Sequence, residues 1–175
     1  MNVLQQPPRT LMEVYRMLPE GTRAEIINEL LYMSPAPTLD HQDVIITLGS
    51  LIFQYVTKRK LGKVYISPVD VYLNTKNAFQ PDLVFISNEN SSILKKDGIH
   101  GAPDLVIEVL SPGTKNFDLV KKKKVYEQSG VKEYWVIDPE TKAAIGFQRI
   151  KERFKEFRNE KGKMNSSLLN QTFKF

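Results

Sequence analysis

The apolar residues of the first 34 positions follow a helical pattern and then a strand pattern. They recur at helical spacing after Thr10, which forms a capping box with Glu13, so we expect a short first helix. Two short apolar runs come next, Ala24–Ile27 and Leu30–Met33, separated by an Asn-Glu pair. Because asparagine tolerates the backbone of a tight turn, this pattern predicts a hairpin.

The central part of the chain alternates between helical and strand patterns. Apolar positions between Thr38 and about Lys60 have helical spacing and are followed by Gly62, which predicts a long helix. Runs rich in Val, Ile and aromatic residues, bounded by turn residues, predict strands. The remaining predicted elements are strands at Lys63–Leu73 (bent at Pro68), Asp82–Ser87, Asp104–Leu110 and Glu133–Asp138, a helix at Asn116–Ser129, and a terminal hairpin of Ala143–Ile150 with Arg153–Arg158.

This order of elements predicts an α/β fold. From Thr38 to Asp138 the order is helix, three strands, helix, strand, and the apolar strands around Val106 and Val136 indicate a sheet covered on both faces. The length suits one domain, 1–175, with a core at about 38–138, an N-terminal helix and hairpin at 10–34, and a C-terminal hairpin and tail at 143–175. The tail from Asn159 onward is polar, and its pattern determines no element.

The composition limits the chemistry that is available. The chain has no cysteine, which excludes disulfides, thiolate metal sites and cysteine nucleophiles and agrees with a cytoplasmic location. Lys and Arg outnumber Asp and Glu by 25 to 20, and the net charge of +5 permits a polyanionic partner without requiring one. The longest mainly apolar stretch, Val44–Val56, is shorter than the roughly 20 residues that span a bilayer, so we expect no membrane segment.

Two carboxylates lie in or beside apolar strands. Glu108 shares a strand face with Val106 and Leu110, because side chains alternate along a strand. An unpaired buried charge costs on the order of several kcal/mol, so Glu108 requires a basic partner or a metal ion, unless it faces solvent on an edge strand. Asp82 opens another apolar strand, where a turn or strand-end aspartate is the simpler interpretation.

Taken together, Asp82 and Glu108 form a pattern with a chemical meaning. Two carboxylates that are brought close repel each other, and a hard divalent cation such as Mg²⁺ relieves this repulsion. Such a cation also lowers the pKa of bound water and stabilises charge on a phosphate under attack. The pair therefore favours metal-dependent phosphodiester hydrolysis.

Four successive lysines follow in the predicted helix at 116–129, and at about 100° per residue they cannot share one face. Leu119 and Tyr126 define the inward stripe of this helix. Lys122 lies three residues after the first and four before the second, so it falls on the stripe. Lys121 and Lys124 are expected to point outward.

The inward lysine has two alternative explanations. Its aliphatic stem could simply extend along the core while the ammonium reaches water. Alternatively, Asp118, four residues before Lys122, could orient it for a role in the site. Lys123, on the other flank of the stripe, is the competing candidate.

Several of these residues also belong to a longer set of motifs. The set comprises Gln80-Pro81-Asp82, the run from Ala102 to Pro112 that contains Glu108, Asp118-x-x-x-Lys122, Tyr126-x-x-x-Gly130-Val131 and Glu133-Tyr-Trp-Val-Ile-Asp138. It resembles the bacterial Uma-two family of restriction-endonuclease-type proteins over about residues 10–150. The resemblance implies the fold of the PD-(D/E)XK nuclease superfamily, a mixed sheet flanked by helices with the core order helix-strand-strand-strand-helix-strand.

The resemblance also implies a site and a cofactor. Asp82 and Glu108 would be metal ligands for Mg²⁺ or Mn²⁺, with the backbone carbonyl of Val109 as a third ligand. The superfamily's lysine normally follows two residues after the acid, and this chain has Leu110 there. In the family the lysine is thought to have moved to the next helix, which Lys122 would supply.

Glu29 and His41 match further positions of the family and could support the site. A turn glutamate and a histidine at a helix N-terminus explain them equally well. With two histidines and no supporting motif, the chain gives no basis for a serine triad.

These features together predict a metal-dependent endonuclease with DNA as its substrate, and they are compatible with a homodimer. The alternative is a non-catalytic nucleic-acid-binding or interaction domain on the same fold. A small-molecule phosphohydrolase on this scaffold also stays open.

Overall fold

The computed structural model describes residues 7–111, 113 and 115–175 of the chain. Its elements follow in the order α1 (Leu11–Arg16), β1 (Ala24–Ile27), β2 (Leu30–Met33), α2 (Leu39–Arg59), β3 (Gly62–Ile66), β4 (Val71–Asn74), β5 (Asn77–Phe79), β6 (Leu83–Ser87), a 3-10 helix (Asn88–Ile93), β7 (Leu94–Lys95), β8 (Gly98–His100), β9 (Leu105–Val109), a π-helix (Phe117–Lys122), α3 (Lys123–Ser129), β10 (Glu133–Ile137), β11 (Ala143–Ile150), β12 (Arg153–Lys161), β13 (Lys163–Ser166) and β14 (Gln171–Lys174). None of the helices in these ranges combines the length and hydrophobicity that a membrane crossing requires.

A six-stranded mixed sheet in the order β12-β11-β10-β9-β6-β3 forms the centre of the fold. β9 and β10 run parallel, and the other neighbouring pairs are antiparallel. On one face α2 buries Ile52 in the same cluster as Ile107 of β9. On the other face α3 buries Val125 in the same cluster as Val106. The predicted core order and the predicted burial of the sheet on both faces are confirmed.

The segment predicted as one bent strand at Lys63–Leu73 divides between two sheets, so that prediction is wrong. β3 lies at the edge of the central sheet, whereas β4 belongs to a second sheet in the order β2-β1-β5-β4-β8-β7. Ser67 N still donates to the carbonyl of Asp82 at 3.0 Å, but Pro68 has no N–H with which to continue the ladder. Strands β5, β7 and β8 were not predicted, because two or three residues are too few to show periodicity.

The helix predicted at 116–129 is present, but its first part is a π-helix. Phe117–Lys122 is π-helical, and Lys123–Ser129 continues as α-helix up to Gly130, whose φ of 99° suits a residue without a Cβ. The two parts together cover the face of the central sheet on which Glu108 lies.

The C-terminal tail forms a hairpin of β13 and β14, which the polar sequence did not predict. Its few apolar residues are those that point inward: Met164 and Phe173 are buried in the same cluster as α2, and Phe173 contacts the ring of Tyr55 edge to face at 5.7 Å between centroids. The buried carboxylate of Glu133 accepts hydrogen bonds from Trp135 Nε1 at 2.7 Å and from Leu168 N at 2.8 Å. The hairpin is therefore part of the core on the α2 side.

Replacing Phe173, two residues from the last residue of the sequence, should destabilise the whole fold. Phe173→Ala removes a buried ring and leaves a cavity, and we expect the free energy of unfolding to fall by about 3–5 kcal/mol. Lys174→Ala, at the exposed neighbouring position, is the control and should change stability little. Urea unfolding of the two variants measures the difference, and equal midpoints would contradict the role of the tail.

Candidate active site

Asp82 and Glu108 face each other across two adjacent strands. Asp82 immediately precedes β6, Glu108 lies within β9, and the antiparallel register pairs Leu83 with Ile107. Continuing this register by one residue sets Asp82 opposite Glu108. Both carboxylates are buried and line a cavity of about 170 Å³.

Asp82 is held from two directions. Its Oδ2 accepts a hydrogen bond from Val109 N at 2.8 Å and lies 3.2 Å from His41 Nε2. His41 is buried in the first turn of α2, whose N-cap Thr38 accepts from the backbone N–H of His41 at 3.4 Å. Nδ1 of His41 is buried and, among the described residues, has no hydrogen-bond partner. The helix therefore presents the imidazole to Asp82 at the wall of the cavity.

Glu108 contacts two side chains of the helical segment that packs on β9, Lys122 and Tyr126. Its Oε1 accepts a hydrogen bond from the Tyr126 hydroxyl at 2.7 Å and lies 3.2 Å from Lys122 Nζ. Burial raises the pKa of Glu108 well above its ordinary value, and repulsion from Asp118 and Asp82 adds to the rise against the attraction of Lys122. The Tyr126 hydroxyl and the Lys122 ammonium therefore converge on the same oxygen of Glu108, to which both donate.

Lys122 is buried among three carboxylates. Its Nζ lies 2.9 Å from Glu25 Oε2, 3.2 Å from Glu108 Oε1 and 3.5 Å from Asp118 Oδ1. Burial alone lowers the pKa of this ammonium, but attraction to Glu108, Glu25 and Asp118 holds it well above its ordinary value. Lys122 therefore stays charged. The pKa of Glu108 is raised even though Lys122 is close, because the effect of burial is the largest and repulsion from the other carboxyls adds to it.

Glu25 is a site residue that the sequence analysis missed. It lies in β1, where all four residues are buried, and its Oε1 accepts from the backbone N–H of Gln80 at 2.8 Å. The signal was of the same kind as for Glu108, a carboxylate inside an apolar run, but the run is short and was interpreted only as one arm of a hairpin. Tyr126 was assigned to the inward stripe, and its hydrogen bond to Glu108 was also missed.

The other predicted residues fall into two groups. Asp118 and Val109 line the cavity together with Asp82, Glu108, Lys122 and His41. Glu29 does not: it is exposed in the β1–β2 turn and pairs with Lys76 at 3.2 Å. Its backbone φ of 61° belongs to that turn.

The side chains of the neighbouring lysines lie where the helical spacing predicted, with one exception. Lys123 Nζ lies 3.9 Å from the ring centre of Phe147, outside the cavity, and Lys124 is exposed. Lys121 does not point freely outward as expected, because its Nζ lies 4.3 Å from the ring centre of Phe117 and 5.4 Å from that of Tyr32. Both rings line the cavity, so Lys121 lies at its rim.

The donor set of the cavity suits a hard divalent cation. Among the residues that the structure describes, four carboxyl groups, those of Glu25, Asp82, Glu108 and Asp118, line the cavity together with only two cationic side chains, Arg23 and Lys122, which leaves an excess of negative charge among oxygen ligands. No group of three or more His, Asp or Glu side chains in the described ranges is already arranged around a metal position. A two-carboxylate site completed by the Val109 carbonyl needs no such group, so the residues fit Mg²⁺ or Mn²⁺.

Comparison with known proteins agrees with this architecture. The model of the Uma2 (Uma-two) family, described as "Putative restriction endonuclease", matches residues 11–171. A crystal structure described as "a putative nuclease belonging to DUF820", from Anabaena variabilis, superposes with a TM-score of 0.71 at 19% identity, over 86% of this chain and 84% of that one. At this identity the superposition shows a common fold. No curated protein matches the chain.

The raised pKa of Glu108 predicts how a neutral replacement responds to pH in the absence of metal. The folded-state pKa of this carboxyl lies above its ordinary 4.5. The protein therefore loses stability as the pH rises from 4.5 through the folded-state pKa, because the folded protein holds the proton more tightly than the unfolded chain does. Glu108→Gln does not titrate, so its free energy of unfolding relative to wild type should rise by up to about 1.4 kcal/mol per pH unit in this window.

Urea unfolding in EDTA between pH 4.5 and 7.5 measures this difference, with Glu156→Gln at an exposed site as the control that should stay parallel to wild type. If the variant instead loses stability relative to wild type as the pH rises, the ion pair with Lys122 dominates and the pKa of Glu108 is lowered.

Proposed function

Because the chain belongs to the Uma2 family, described as "Putative restriction endonuclease", we propose that it is a metal-dependent endonuclease that hydrolyses phosphodiester bonds in DNA. The observation that carries the proposal is the meeting of Asp82, Glu108 and Lys122 at one cavity wall. These are two oxygen ligands and one positive charge, groups with which metal-assisted phosphoryl hydrolysis is carried out.

The cation would be Mg²⁺ or Mn²⁺, held by the carboxylates of Asp82 and Glu108 and the carbonyl of Val109. When bound, it lowers the pKa of a water molecule and offsets charge on the phosphate. Asp82 is prepared for this role by Val109 N and His41, which fix its Oδ2. Tyr126 fixes one oxygen of Glu108 in the same way.

Lys122 is the group that would act on the reacting phosphate. Its ammonium is a compact charge in a water-poor cavity, where an electrostatic interaction is stronger than in bulk water. It would position the attacking water and stabilise the phosphate as its negative charge increases. Glu25 and Asp118 are positioning residues, since each holds the ammonium within 3.5 Å.

Access for a nucleic acid is provided by the polar and basic rim of the cavity. Arg23 lines the cavity and is half-buried, and Lys121 lies on the rings of Phe117 and Tyr32 at its edge. Such cations neutralise phosphates independently of sequence. The net charge of +5 adds a weak general attraction.

The second candidate is a non-catalytic nucleic-acid-binding domain on the same fold. It is favoured by one observation: Lys122 already lies within 3.2 Å of Glu108, so the acid has a cationic partner without a metal ion. In that case divalent metal should neither stabilise the protein nor support cleavage, and the two following predictions distinguish the candidates.

Divalent metal should stabilise the protein by relieving the repulsion between Asp82 and Glu108. At a hundred times the dissociation constant the gain is roughly 2.7 kcal/mol, visible as a rise in melting temperature with Mn²⁺ relative to EDTA. Glu108→Gln should abolish the rise, and Glu156→Gln, at an exposed position, should retain it. If Mn²⁺ raises the melting temperature of Glu108→Gln as much as that of wild type, Glu108 is a structural residue and not a metal ligand.

The lysine cluster should separate by role in a cleavage assay on plasmid DNA with Mn²⁺, Mg²⁺ or EDTA. Lys122→Ala should melt at a lower temperature than wild type, because three buried carboxyls lose their cation. Assayed where it is folded, it should keep the metal-induced melting shift and most DNA affinity, yet lose cleavage by about a hundredfold or more, because the charge of Lys122 acts where the phosphate becomes more negative. Lys122→Arg should rescue poorly, since a planar guanidinium does not replace a compact ammonium in a packed cavity.

The matched controls are the two neighbours. Lys124→Ala, at an exposed position, should at most weaken DNA affinity and its salt dependence. Lys123→Ala should leave cleavage intact, because its ammonium lies on Phe147 outside the cavity. Loss of cleavage in Lys123→Ala with normal cleavage in Lys122→Ala would show that Lys123, and not Lys122, acts on the phosphate.

A further inference from the structure

Two aromatic rings lie at the mouth of the active-site cavity. Tyr32 belongs to β2 and Phe117 opens the π-helix, and their rings meet edge to face with 5.0 Å between centroids. Both residues line the cavity and are half-buried, whereas Asp82 and Glu108 are buried. The rings therefore lie nearer to solvent than the carboxylates, and we call Tyr32 and Phe117 the ring pair.

The cavity behind the ring pair is too small to enclose a whole nucleotide. Its volume is about 170 Å³. A site that encloses a small organic molecule usually measures roughly 300–1,000 Å³. The smaller volume has room for a phosphate and a metal ion, but not also for the attached sugar and base. A phosphate that reaches Asp82 and Glu108 therefore leaves its base at the mouth, beside the ring pair.

A base can stack on the ring pair only if it is unpaired. Within a duplex each base face is covered by the neighbouring base pairs, so no face is available to a protein ring. In a single strand every base offers a face, and stacking on aromatic side chains is tolerant of sequence. Met33 and Pro35 follow Tyr32 in the chain and also line the cavity, which adds apolar surface beside the rings. The mouth thus offers a stacking surface that duplex DNA cannot use without opening.

A lysine beside the rings supplies positive charge for the backbone of such a strand. Nζ of Lys121 lies 4.3 Å from the ring centre of Phe117 and 5.4 Å from that of Tyr32, held by the negative potential of the ring faces. An entering strand brings a phosphate, which carries a full negative charge to which the ammonium can turn. That movement frees the ring faces for a base.

We propose that the ring pair and Lys121 select an unpaired DNA strand as the substrate of this site. The base next to the scissile phosphate stacks on Tyr32 and Phe117, and Lys121 leaves the rings to bind a flanking phosphate. The inference rests on the proposed endonuclease function, since it concerns the same cavity. A plasmid stays a substrate because negative supercoiling favours the opening of unpaired segments.

Fluorescence anisotropy with a labelled oligonucleotide and with its duplex tests the preference in EDTA, because stacking does not require the metal ion. Wild type should bind the single strand about tenfold more tightly or better. Tyr32→Leu and Phe117→Leu, which keep apolar bulk, should weaken single-strand binding by about tenfold and duplex binding little. Circular dichroism checks that both variants fold.

Two matched variants separate stacking from other effects. Tyr32→Phe keeps the ring and should bind both forms as wild type does. Phe53→Leu, at a 55% exposed aromatic position of α2 outside the cavity lining, should also leave both affinities unchanged. Equal affinity of wild type for the single strand and the duplex overturns the proposal. So do leucine variants of the ring pair that weaken both forms alike, or a wild type that binds neither form.

Replacing the lysine gives an independent result. Lys121→Ala should weaken the binding of both forms and lower the slope of log affinity against log salt concentration by roughly one, because one phosphate contact is lost. The preference for the single strand should survive, since the rings are still present. A variant with an unchanged salt slope overturns the role of Lys121 in the proposal.

Cleavage with Mn²⁺ is measured separately, so that this inference and the proposed activity can fail independently. A wild type that cleaves the single strand and the duplex at equal rates retains the endonuclease and overturns selection by the ring pair. A wild type that prefers the single strand in binding but cleaves neither form supports the ring pair and contradicts the proposed activity.

Discussion

The ammonium of Lys122, buried among three carboxylates, is the interaction on which the arrangement of the site depends. It joins β1 through Glu25, β9 through Glu108 and the π-helix through Asp118. Removing one member of a buried ion network leaves an uncompensated charge, at a cost of about 3–5 kcal/mol. The second sheet, the central sheet and the helix that covers it are therefore fixed relative to one another by one cation, in addition to their apolar contacts.

The same network leaves the cavity with more negative charge than its own residues neutralise. A protein selected only for stability would replace Glu25 or Asp118 with an apolar residue, because a buried carboxyl without full compensation is costly. Retaining these groups makes sense if the excess charge serves a bound cation. Burial raises the pKa of Glu108 most, and repulsion from Asp118, Asp82 and Glu25 adds to the rise.

Much of the site could be predicted from the sequence because it obeys simple periodicities. Strand alternation indicated Glu108, and helical spacing indicated Lys122, although the helix begins as a π-helix. The pairing of Glu25 with Lys122 could not be predicted, since it depends on how the second sheet packs against the helix, which no local pattern contains. Glu29, which the match to the family suggested as a supporting residue, lies in the β1–β2 turn and outside the lining of the cavity.

The same distinction applies to the fold. The long helix α2 and the strands of the central sheet are long enough to show their period. Where the chain changes sheets at Pro68, or where a strand has three residues or fewer, the structure is decided by packing alone. The π-helix at Phe117–Lys122 closes its turns over five residues, whereas the α-helix that follows closes them over four. Deleting one residue between Asp118 and Lys122 would let this stretch close as α-helix, with Asp118 three residues before Lys122 and so still on the same face. The helix is thus expected to accept a single-residue deletion there, whereas a deletion inside β9 would turn Glu108 to the opposite face of the central sheet.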